Sequence, residues 1–388
     1  KSVLFGFKIE EEKNGKYIID ITDFLMQDAH GVSGRLKRSN QGSYSLDKSK
    51  SAFALGHKTI STRLQNLIIP TPKQEEKNDN LTPEIIAKIQ QRMQELLDRD
   101  WEDSERGVYP VEILFDNPWL DFFSYYPAIC LDHFSIWERM QKRKYHVFSL
   151  DIDTEGYPRY YLQNFHYQTD GYLSEMSANL YDLQVELLFH GTADAMRRRI
   201  LKPLKEGFSE LLSNEKKLRV LDIACGTGRT LKFIRATLPK ASLYGIDLSP
   251  AYLRKANELL SETRGELPQL IQANGEELPF KDDYFQGTVS VFLFHELPHF
   301  ARQRVIEEAF RVTQPGGVFV ICDSVQAMDS PELMPAMEGF SVTFHEPYYK
   351  HYMNDDLVKR LEEVGFVDVS IENHFMSKYW VARKPDLN

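Results

Sequence analysis

The 388-residue sequence is poor in cysteine, in long apolar runs and in excess positive charge. Cys130, Cys225 and Cys322 lie far apart, without the paired spacing of a disulfide framework or of a cysteine zinc site. No apolar stretch approaches the roughly 20 residues that span a bilayer, and no signal-peptide pattern is present. The net charge of −10 argues against nucleic acid as a partner. We therefore expect a globular cytoplasmic protein without a transmembrane segment.

The only compact basic patch in the sequence is Arg197 to Arg199. A run of charges on a helix is usually a solvated face. We interpret these arginines in that way, as a surface feature and not as a nucleic-acid site.

The most informative stretch is Arg219 to Leu231, R-V-L-D-I-A-C-G-T-G-R-T-L. Its apolar residues are typical of a parallel strand buried on both faces, and Gly226 and Gly228 then predict a turn into a helix near Arg229. Glycine lets a ligand lie against the backbone, although a plain tight turn has the same pattern. The third glycine of a dinucleotide site is missing, and Asp222 would repel a phosphate. The same carboxylate suits a cationic ligand such as S-adenosylmethionine.

A second strand is predicted at Ser242 to Ile246, and Asp247 follows it about twenty residues beyond Gly228. That distance is usual for an acid that binds ribose hydroxyls. Ser249 and Pro250 are good N-terminal residues for a helix predicted at Ala251 to Glu262. A simple capped surface helix explains the serine and the proline but does not explain the acid.

Four motifs then agree in order and spacing with one family: L-D-I-A-C-G-T-G, Y-G-I-D-L-S-P-A-Y-L, A-N-G-E-E-L-P-F and R-V-T-Q-P-G-G-V-F-V. Over about Lys205 to Lys384 the sequence resembles class I S-adenosylmethionine-dependent methyltransferases. It looks most similar to the group that includes the ubiquinone and menaquinone C-methyltransferases and many small-molecule enzymes.

The resemblance implies S-adenosylmethionine as the cofactor and a set of residues that bind it. Gly226 and Gly228 would pass under the methionine end, Asp222 would help to hold that end, and Asp247 would bind the ribose. Asn274 and Gly275 would lie at the adenine; relatives often carry Asp in place of Asn274 and of Gln286, but an Asn carbonyl can still accept a hydrogen bond from the adenine amine. The full set of cofactor candidates is Asp222, Ala224, Cys225, Gly226, Gly228, Asp247, Leu248, Asn274 and Gly275.

The rest of this half of the chain alternates predicted strands and helices, which indicates an α/β fold. Further strands are expected at Leu270 to Ala273, Gly287 to Phe294, Val318 to Cys322, Val367 to Glu372 and Tyr379 to Arg383, and helices at Val305 to Val312 and Leu357 to Val364. This alternation predicts a doubly wound, Rossmann-like, seven-stranded sheet with right-handed crossovers and nearly all-apolar interior strands.

Four segments are predicted along the chain. Residues 1–57 alternate like strands and weakly resemble an accessory region of bacterial zinc-metallopeptidase-like proteins, and residues 58–80 contain a polar, proline-bearing linker. Residues 81–204 form a helical, aromatic-rich cap, and residues 205–388 form the methyltransferase domain. Thr82 and Pro83 open the first cap helix, whose predicted packing stripe is Ile85, Ile86, Ile89, Met93, Leu96 and Leu97.

Aromatic residues are concentrated between Asn117 and Tyr181. They are compatible with the lining of a lipophilic pocket, but we favour an ordinary core between the N-terminal helices and the catalytic domain. Helices are predicted at Ser174 to His190 and Ala193 to Leu212. In the family, helices that precede the domain often cap the cleft, so this segment is expected to contribute to substrate choice.

The pattern H-E-L-P-H, with His295, Glu296 and His299, matches the H-E-x-x-H signature of zinc peptidases. We reject that interpretation and predict no metal, because Pro298 would interrupt the helix that must hold both histidines on one face. The residues instead follow a central strand, where open α/β sheets bind ligands. We hypothesise that His295 is a general base with His299 second, and that Glu296 also faces the methyl acceptor. A structural histidine that caps the strand is the alternative.

Enzymes that methylate base amines carry an Asn/Asp-Pro-Pro-aromatic signature after the fourth strand. This signature is absent here, where the sequence reads F-L-F-H-E-L. We therefore expect methyl transfer to an O or C atom of a lipophilic or aromatic small molecule. The alternatives are a protein methyltransferase and a protein that binds S-adenosylmethionine without turnover. The sequence leaves the oligomeric state open.

Overall fold

A computed structural model describes residues 2–4, 7–11, 17–20, 82–116, 125, 128, 132, 135–136, 138–208 and 218–386. The predicted linker and most of residues 1–57 lie outside these ranges. The chain divides into two units, Lys1–Leu46 and Asp47–Asn388. In the first unit, strands β1 (Ser2–Leu4), β2 (Phe7–Glu11) and β3 (Tyr17–Asp20) form an antiparallel sheet in that order, in agreement with the alternation of the sequence.

The second unit begins with helices. They are α1 (Pro83–Glu105), α2 (Glu175–Leu188), α3 (Ala193–Arg198) and α4 (Leu201–Gly207). Thr82 caps α1 by accepting the Ile85 N–H at 3.4 Å. The stripe prediction is correct at Leu96 and Leu97, which are buried, and wrong at Ile86, which is 44% exposed. The helix predicted from Ala193 is divided near Ile200 into α3 and α4.

The sheet of the second unit follows, with its helices. Its elements are β4 (Arg219–Ile223), α5 (Arg229–Thr237), β5 (Ser242–Asp247), α6 (Pro250–Ser261), β6 (Gln269–Gln272), β7 (Phe285–Val291), α7 (His299–Val312), β8 (Thr313–Ser324), α8 (Met334–Thr343), α9 (Tyr349–Tyr352), α10 (Leu357–Val364), β9 (Val367–His374) and β10 (Ser377–Arg383). Of these described residues, no helix is both long and apolar enough to cross a bilayer.

The strand order β6-β5-β4-β7-β8-β10-β9 confirms the predicted doubly wound, seven-stranded sheet. The first five strands in this order run parallel, and β10 pairs antiparallel with both β8 and β9. Sequential order reverses between β4 and β7, so a crevice opens beside β4 at the carboxyl ends of the strands. The expectation of an all-apolar interior is wrong for β6, an edge strand on which Gln269 and Gln272 are exposed.

Apolar side chains cover both faces of the sheet. Helices α7 and α10 pack on one face through residues that include Val305 and Leu361. On the other face the core includes Leu204 of α4, Leu231 of α5 and Ala256 of α6. These two layers hold the carboxyl ends of β4, β5 and β7 in a fixed arrangement.

The interpretation of Arg197 to Arg199 as a solvated face is wrong. All three side chains are buried, because α3 packs between α1 and the sheet domain. Arg198 Nη2 lies 2.5 Å from Asp100 Oδ2, and its Nε donates to Oδ1 at 3.0 Å. The other two arginines pair with buried carboxylates on α3 and α1, namely Asp194 and Asp103. Buried charges require such partners, and those of Arg198 and Arg199 are distant in sequence.

Candidate active site

A cleft of about 810 Å³, including space open to solvent, lies at the carboxyl ends of β4, β5 and β7. Its wall combines backbone and one acid, Asp247, from the strand ends with aromatic side chains from residues 160–181 and with Glu296. The predicted cofactor residues Ala224, Gly226 and Asp247 all lie in its wall.

The glycine turn after β4 has the left-handed backbone that the sequence predicts. Gly226 has φ +52° and Gly228 has φ +80°, and Ala224 shares this region at φ +60°. The Asp247 carboxylate accepts the Gly226 N–H at 2.9 Å and the Ser249 N–H at 2.8 Å. Burial raises the pKa of Asp247 to about 6, although these backbone N–H groups act to lower it. The acid after the second strand therefore fixes the turn after the first.

Asp222 lies on β4 beneath this turn, and its side chain is 1% exposed. Neither carboxylate oxygen accepts a hydrogen bond from a described residue. Burial, with the nearby Asp247 charge, raises the pKa of Asp222 well above its ordinary value. A buried carboxylate without partners is costly unless a ligand supplies them. Asp222 is not in the cleft wall itself, but the unpaired acid beneath the turn fits a cationic ligand above it.

Some of the remaining cofactor candidates line the cleft, and the others support the turn after β4. Leu248, Asn274 and Gly275 line the cleft, and Asn274 Oδ1 accepts the Glu276 N–H at 3.0 Å. Cys225 and Gly228 are outside the wall. The Cys225 N–H donates to Ile246 O at 2.8 Å, and Gly228 lets α5 approach α6 closely.

The H-E-L-P-H segment does not form one helix. Phe294–Glu296 is a single 3₁₀ turn, Leu297 is extended, and α7 begins only at His299, directly after Pro298. The interruption that Pro298 predicts is therefore present, and the two histidines do not share a helix face as the zinc-peptidase pattern requires.

The structure separates the three candidate catalytic residues. Glu296 lines the cleft. His295 is buried outside the cleft wall, with its Nδ1 2.6 Å from Asp323 Oδ1. Burial acts to lower the pKa of His295, but the carboxylates of Asp323, Glu346 and Glu296 together outweigh it and raise the pKa to about 9. His299 is exposed, lies outside the cleft wall and has its ring 5.5 Å from that of His351.

Glu296 is the centre of a polar cluster that also contains residues missed by the sequence. Its Oε1 accepts the Tyr172 hydroxyl at 2.5 Å and lies 3.9 Å from both His295 Nε2 and His166 Nε2. His166 Nε2 in turn lies 2.9 Å from Glu346 Oε1. Burial acts to lower the pKa of His166, but the two carboxylates raise it to about 10. Tyr172, His166 and Glu346 come from distant segments without a recognisable pattern, so the sequence offered no signal for them.

Described aromatic residues of the cap both pack in a hydrophobic core and line the cleft. The two interpretations of the sequence, a core and a pocket lining, are therefore compatible for these residues. Phe165 and Tyr172 stack with ring centroids 5.4 Å apart, and both are buried against α6. The same rings face the cleft, together with others that the cap and the sheet domain supply: Tyr160, Tyr161, Tyr181, Tyr252 and Phe292.

Comparison with known proteins agrees with this geometry. Residues 220–317 match a family model described as a methyltransferase domain. Together with the fold and the four motifs, this match shows that the chain carries a class I S-adenosylmethionine-dependent methyltransferase domain. S-adenosylmethionine is the cofactor of that class.

Particular relatives share parts of the chain. It is 36% identical over 107 residues to phthiotriol/phenolphthiotriol dimycocerosates methyltransferase 1 of Mycobacterium ulcerans, which covers 27% of this chain and 37% of that protein. It is 24% identical to the demethylmenaquinone methyltransferase of a Geobacillus species, over 46% of this chain and 82% of that protein. The chain thus spans little more than a third of the first curated relatives that it matches.

Among solved structures, human N-acetylserotonin methyltransferase in complex with S-adenosylmethionine is similar to this chain. It has 14% sequence identity and a TM-score of 0.43, over 68% of this chain and 70% of that one.

Proposed function

We propose that this protein transfers a methyl group from S-adenosylmethionine to an O or C atom of a lipophilic or aromatic small molecule. The observation that carries the proposal is the composition of one continuous cleft. Its wall contains the glycine turn with Asp247 and also aromatic rings with one carboxylate, Glu296. We call the first part of the wall the donor end and the second part the acceptor end, since a donor and an apolar acceptor would meet in this one cleft.

The donor end is assigned from the residues in its wall and beneath it. Asp247 offers carboxylate oxygens to ribose hydroxyls, and Asn274 and Gly275 lie where an adenine would follow along β6. Asp222 supplies an unpaired carboxyl group under the turn, and a cationic methionine end would favour its ionised form. The wall of the donor end also includes Ala224, Gly226 and Leu248. Outside the wall, Cys225 and Gly228 would hold the turn in place.

The acceptor end is assigned from its rings. Tyr161, Phe165, Tyr181 and their neighbours offer apolar faces with few polar groups, as expected for a lipophilic or aromatic ligand. The names of the phthiotriol and demethylmenaquinone methyltransferases refer to lipophilic acceptors, which supports the same class here.

When bound, S-adenosylmethionine supplies an electrophilic methyl group, so no protein nucleophile is required. The residues of this chain then act by holding the acceptor in line and by excluding water. Glu296 is the ionisable candidate that reaches the acceptor end, and its carboxylate can accept a hydrogen bond from an acceptor hydroxyl. His295, the base in our hypothesis from the sequence, lies outside the cleft wall with its ring held by Asp323, and its raised pKa favours the protonated form at neutral pH, so it would orient Glu296 rather than accept a proton.

Calorimetry with S-adenosylmethionine and S-adenosylhomocysteine tests the donor end. We expect one site per chain, and Asp222→Asn should weaken binding by about tenfold, because the amide cannot take up the negative charge that a bound cation would favour. Glu363→Gln makes the same change on an exposed position of α10 and is the matched control. Absence of binding to the unmodified protein would refute the proposal.

Turnover is tested with a labelled methyl donor and a panel of quinols, phenols, sterol-like alcohols and denatured protein extract. Label in a lipophilic small molecule supports the proposal. Label in protein would instead identify a protein methyltransferase. Donor binding without label in any fraction would point to a binding protein without turnover.

A further inference from the structure

We propose that His166, Glu296 and Glu346 form a binding site for one divalent transition-metal ion at the acceptor end of the cleft. Only Glu296 belongs to the H-E-L-P-H pattern, and the other two residues come from separate segments. The ion site is thus distinct from the zinc-peptidase arrangement that the sequence suggested and that we rejected.

The geometry of the three donors suits a single ion. One imidazole nitrogen and two carboxylate oxygens lie within 4.8 Å of one another, and His166 Nε2 is 2.9 Å from Glu346 Oε1 and 3.9 Å from Glu296 Oε1. Ligands that bind at about 2.0–2.2 Å are themselves separated by roughly 3 to 3.5 Å. The observed spacings are on both sides of that value, so small side-chain rotations suffice.

Glu346 gives an independent reason for a cation. Its side chain is fully buried, and neither oxygen accepts a hydrogen bond from any residue that the structure describes. His166 Nε2 approaches Glu346 Oε1 to 2.9 Å as an ion-pair partner, and the other lone pairs of this carboxylate stay open. A buried carboxylate with open lone pairs lies beside a histidine and a second carboxylate. Such an arrangement suits a cation to which all three side chains could bind.

Charge counting favours an ion of charge +2. His295 already faces Asp323, so its charge is matched by that carboxylate. Glu296 and Glu346 then share His166 alone. A protonated His166 would balance one of the two carboxylates, whereas a divalent ion bound to neutral His166 balances both.

The donor set also indicates the class of metal. One nitrogen and two oxygens suit Zn²⁺, Mn²⁺, Fe²⁺ or Co²⁺, while Ca²⁺ and Mg²⁺ prefer oxygen alone. Glu296 lines the cleft, so the open coordination positions would face the acceptor. An acceptor oxygen could bind there and be polarised, a role that rests on the proposed function, whereas metal binding itself does not.

The test uses the full chain, freed of metal by a chelator, and calorimetric titration with ZnCl₂ and MnCl₂. We expect one ion per chain. Glu346→Gln, which keeps the shape of the side chain, should weaken binding at least tenfold, since even supporting residues cost a metal site about that much. His166→Ala should do the same, and circular dichroism would establish that both variants fold.

Glu372→Gln is the matched control, because Glu372 Oε2 lies 2.9 Å from His374 Nε2 in an exposed pair without a third ligand. Its affinity should equal that of the unmodified protein. Cobalt substitution provides a second readout, a visible d–d absorption that Glu346→Gln should abolish. Failure of the unmodified protein to bind any of these ions, or equal binding by Glu346→Gln, would overturn the proposal.

Binding of S-adenosylhomocysteine separates this proposal from the proposed function. Glu346→Gln should lose the ion and keep the donor affinity, because Glu346 is not in the donor end of the cleft. An unmodified protein that binds the ion but no donor would refute the methyltransferase proposal and leave the metal site standing.

Discussion

The Asp247 carboxylate accepts the backbone N–H of Gly226 at 2.9 Å, which joins the end of β5 to the turn after β4. One side chain thus both orders the turn and offers oxygens to the cleft.

We expect Asp247→Ala to weaken binding of S-adenosylhomocysteine by about 100-fold, because it removes charge-assisted hydrogen bonds to the ligand and the anchor of the turn. Calorimetry measures the change. The affinity of Asp247→Asn should lie between that of the unmodified protein and that of Asp247→Ala, since the amide oxygen can still accept a hydrogen bond from one of the N–H groups. Equal affinity for all three proteins would remove Asp247 from the donor site.

Donor affinity should also depend on pH through Asp247. Its pKa in the folded protein is raised to about 6, so the carboxylate is charged at neutral pH and gains a proton as the pH falls through that value. If the charged form binds the ribose, affinity is level above pH 7 and about tenfold weaker at pH 5, with proton release on binding. Calorimetry in buffers of different ionisation enthalpy measures both effects. A level profile for Asp247→Asn is the control, and the same decline in that variant would assign the titration to another group.

Gly228 should tolerate no side chain. A Cβ there would lie 3.0 Å from the Ala256 Cβ and 3.1 Å from Leu260 Cδ1, and its φ is +80°. We expect Gly228→Ala to cost about 2–4 kcal/mol in the free energy of unfolding, from backbone strain and overpacking together.

Gly156 is the matched control for this substitution, because its φ is +82° and nothing lies within 4 Å of an added Cβ. Gly156→Ala should cost only about 1 kcal/mol, the part that comes from the backbone. Denaturant unfolding measures both variants. Equal losses would show that close packing of α5 on α6 contributes nothing.

The buried pair of Arg198 and Asp100 should be important for stability. Both side chains are about 1% exposed. Asp100→Asn removes the carboxylate that pairs directly with the guanidinium, and we expect a loss of about 3–5 kcal/mol in the free energy of unfolding. Glu175→Gln breaks a pair with Arg254 in which both side chains are more than half exposed, and it should cost under about 1 kcal/mol. Thermal and denaturant unfolding compare them, and a similarly small loss in Asp100→Asn would contradict the expectation.

Features that depend on local sequence were predictable. The turn at Gly226, the acid at Asp247 and the interruption at Pro298 each follow from a few neighbouring residues whose backbone preferences are strong. The family motifs then fixed the order of strands, because each motif belongs to one strand end.

Features that depend on distant segments were not predictable. Arginine is usually an exposed residue type, and Arg198 is buried because α1 packs against α3 and supplies Asp100 as its partner. His166 and Glu346 are 180 residues apart, and neither has a pattern around it that indicates the other. The acceptor end is assembled from such contacts, which is why the sequence identified the donor more fully than the acceptor.

The arginine pairs between α1 and α3 have a consequence for shortened forms of the protein. The family model matches only residues 220–317, yet the counter-charges of Arg198 and Arg199 lie on α1, far upstream. A fragment that starts after Glu105 would retain two buried cations without the acids that pair with them. Such a fragment should aggregate or be degraded, so a minimal active version should begin upstream of Asp100.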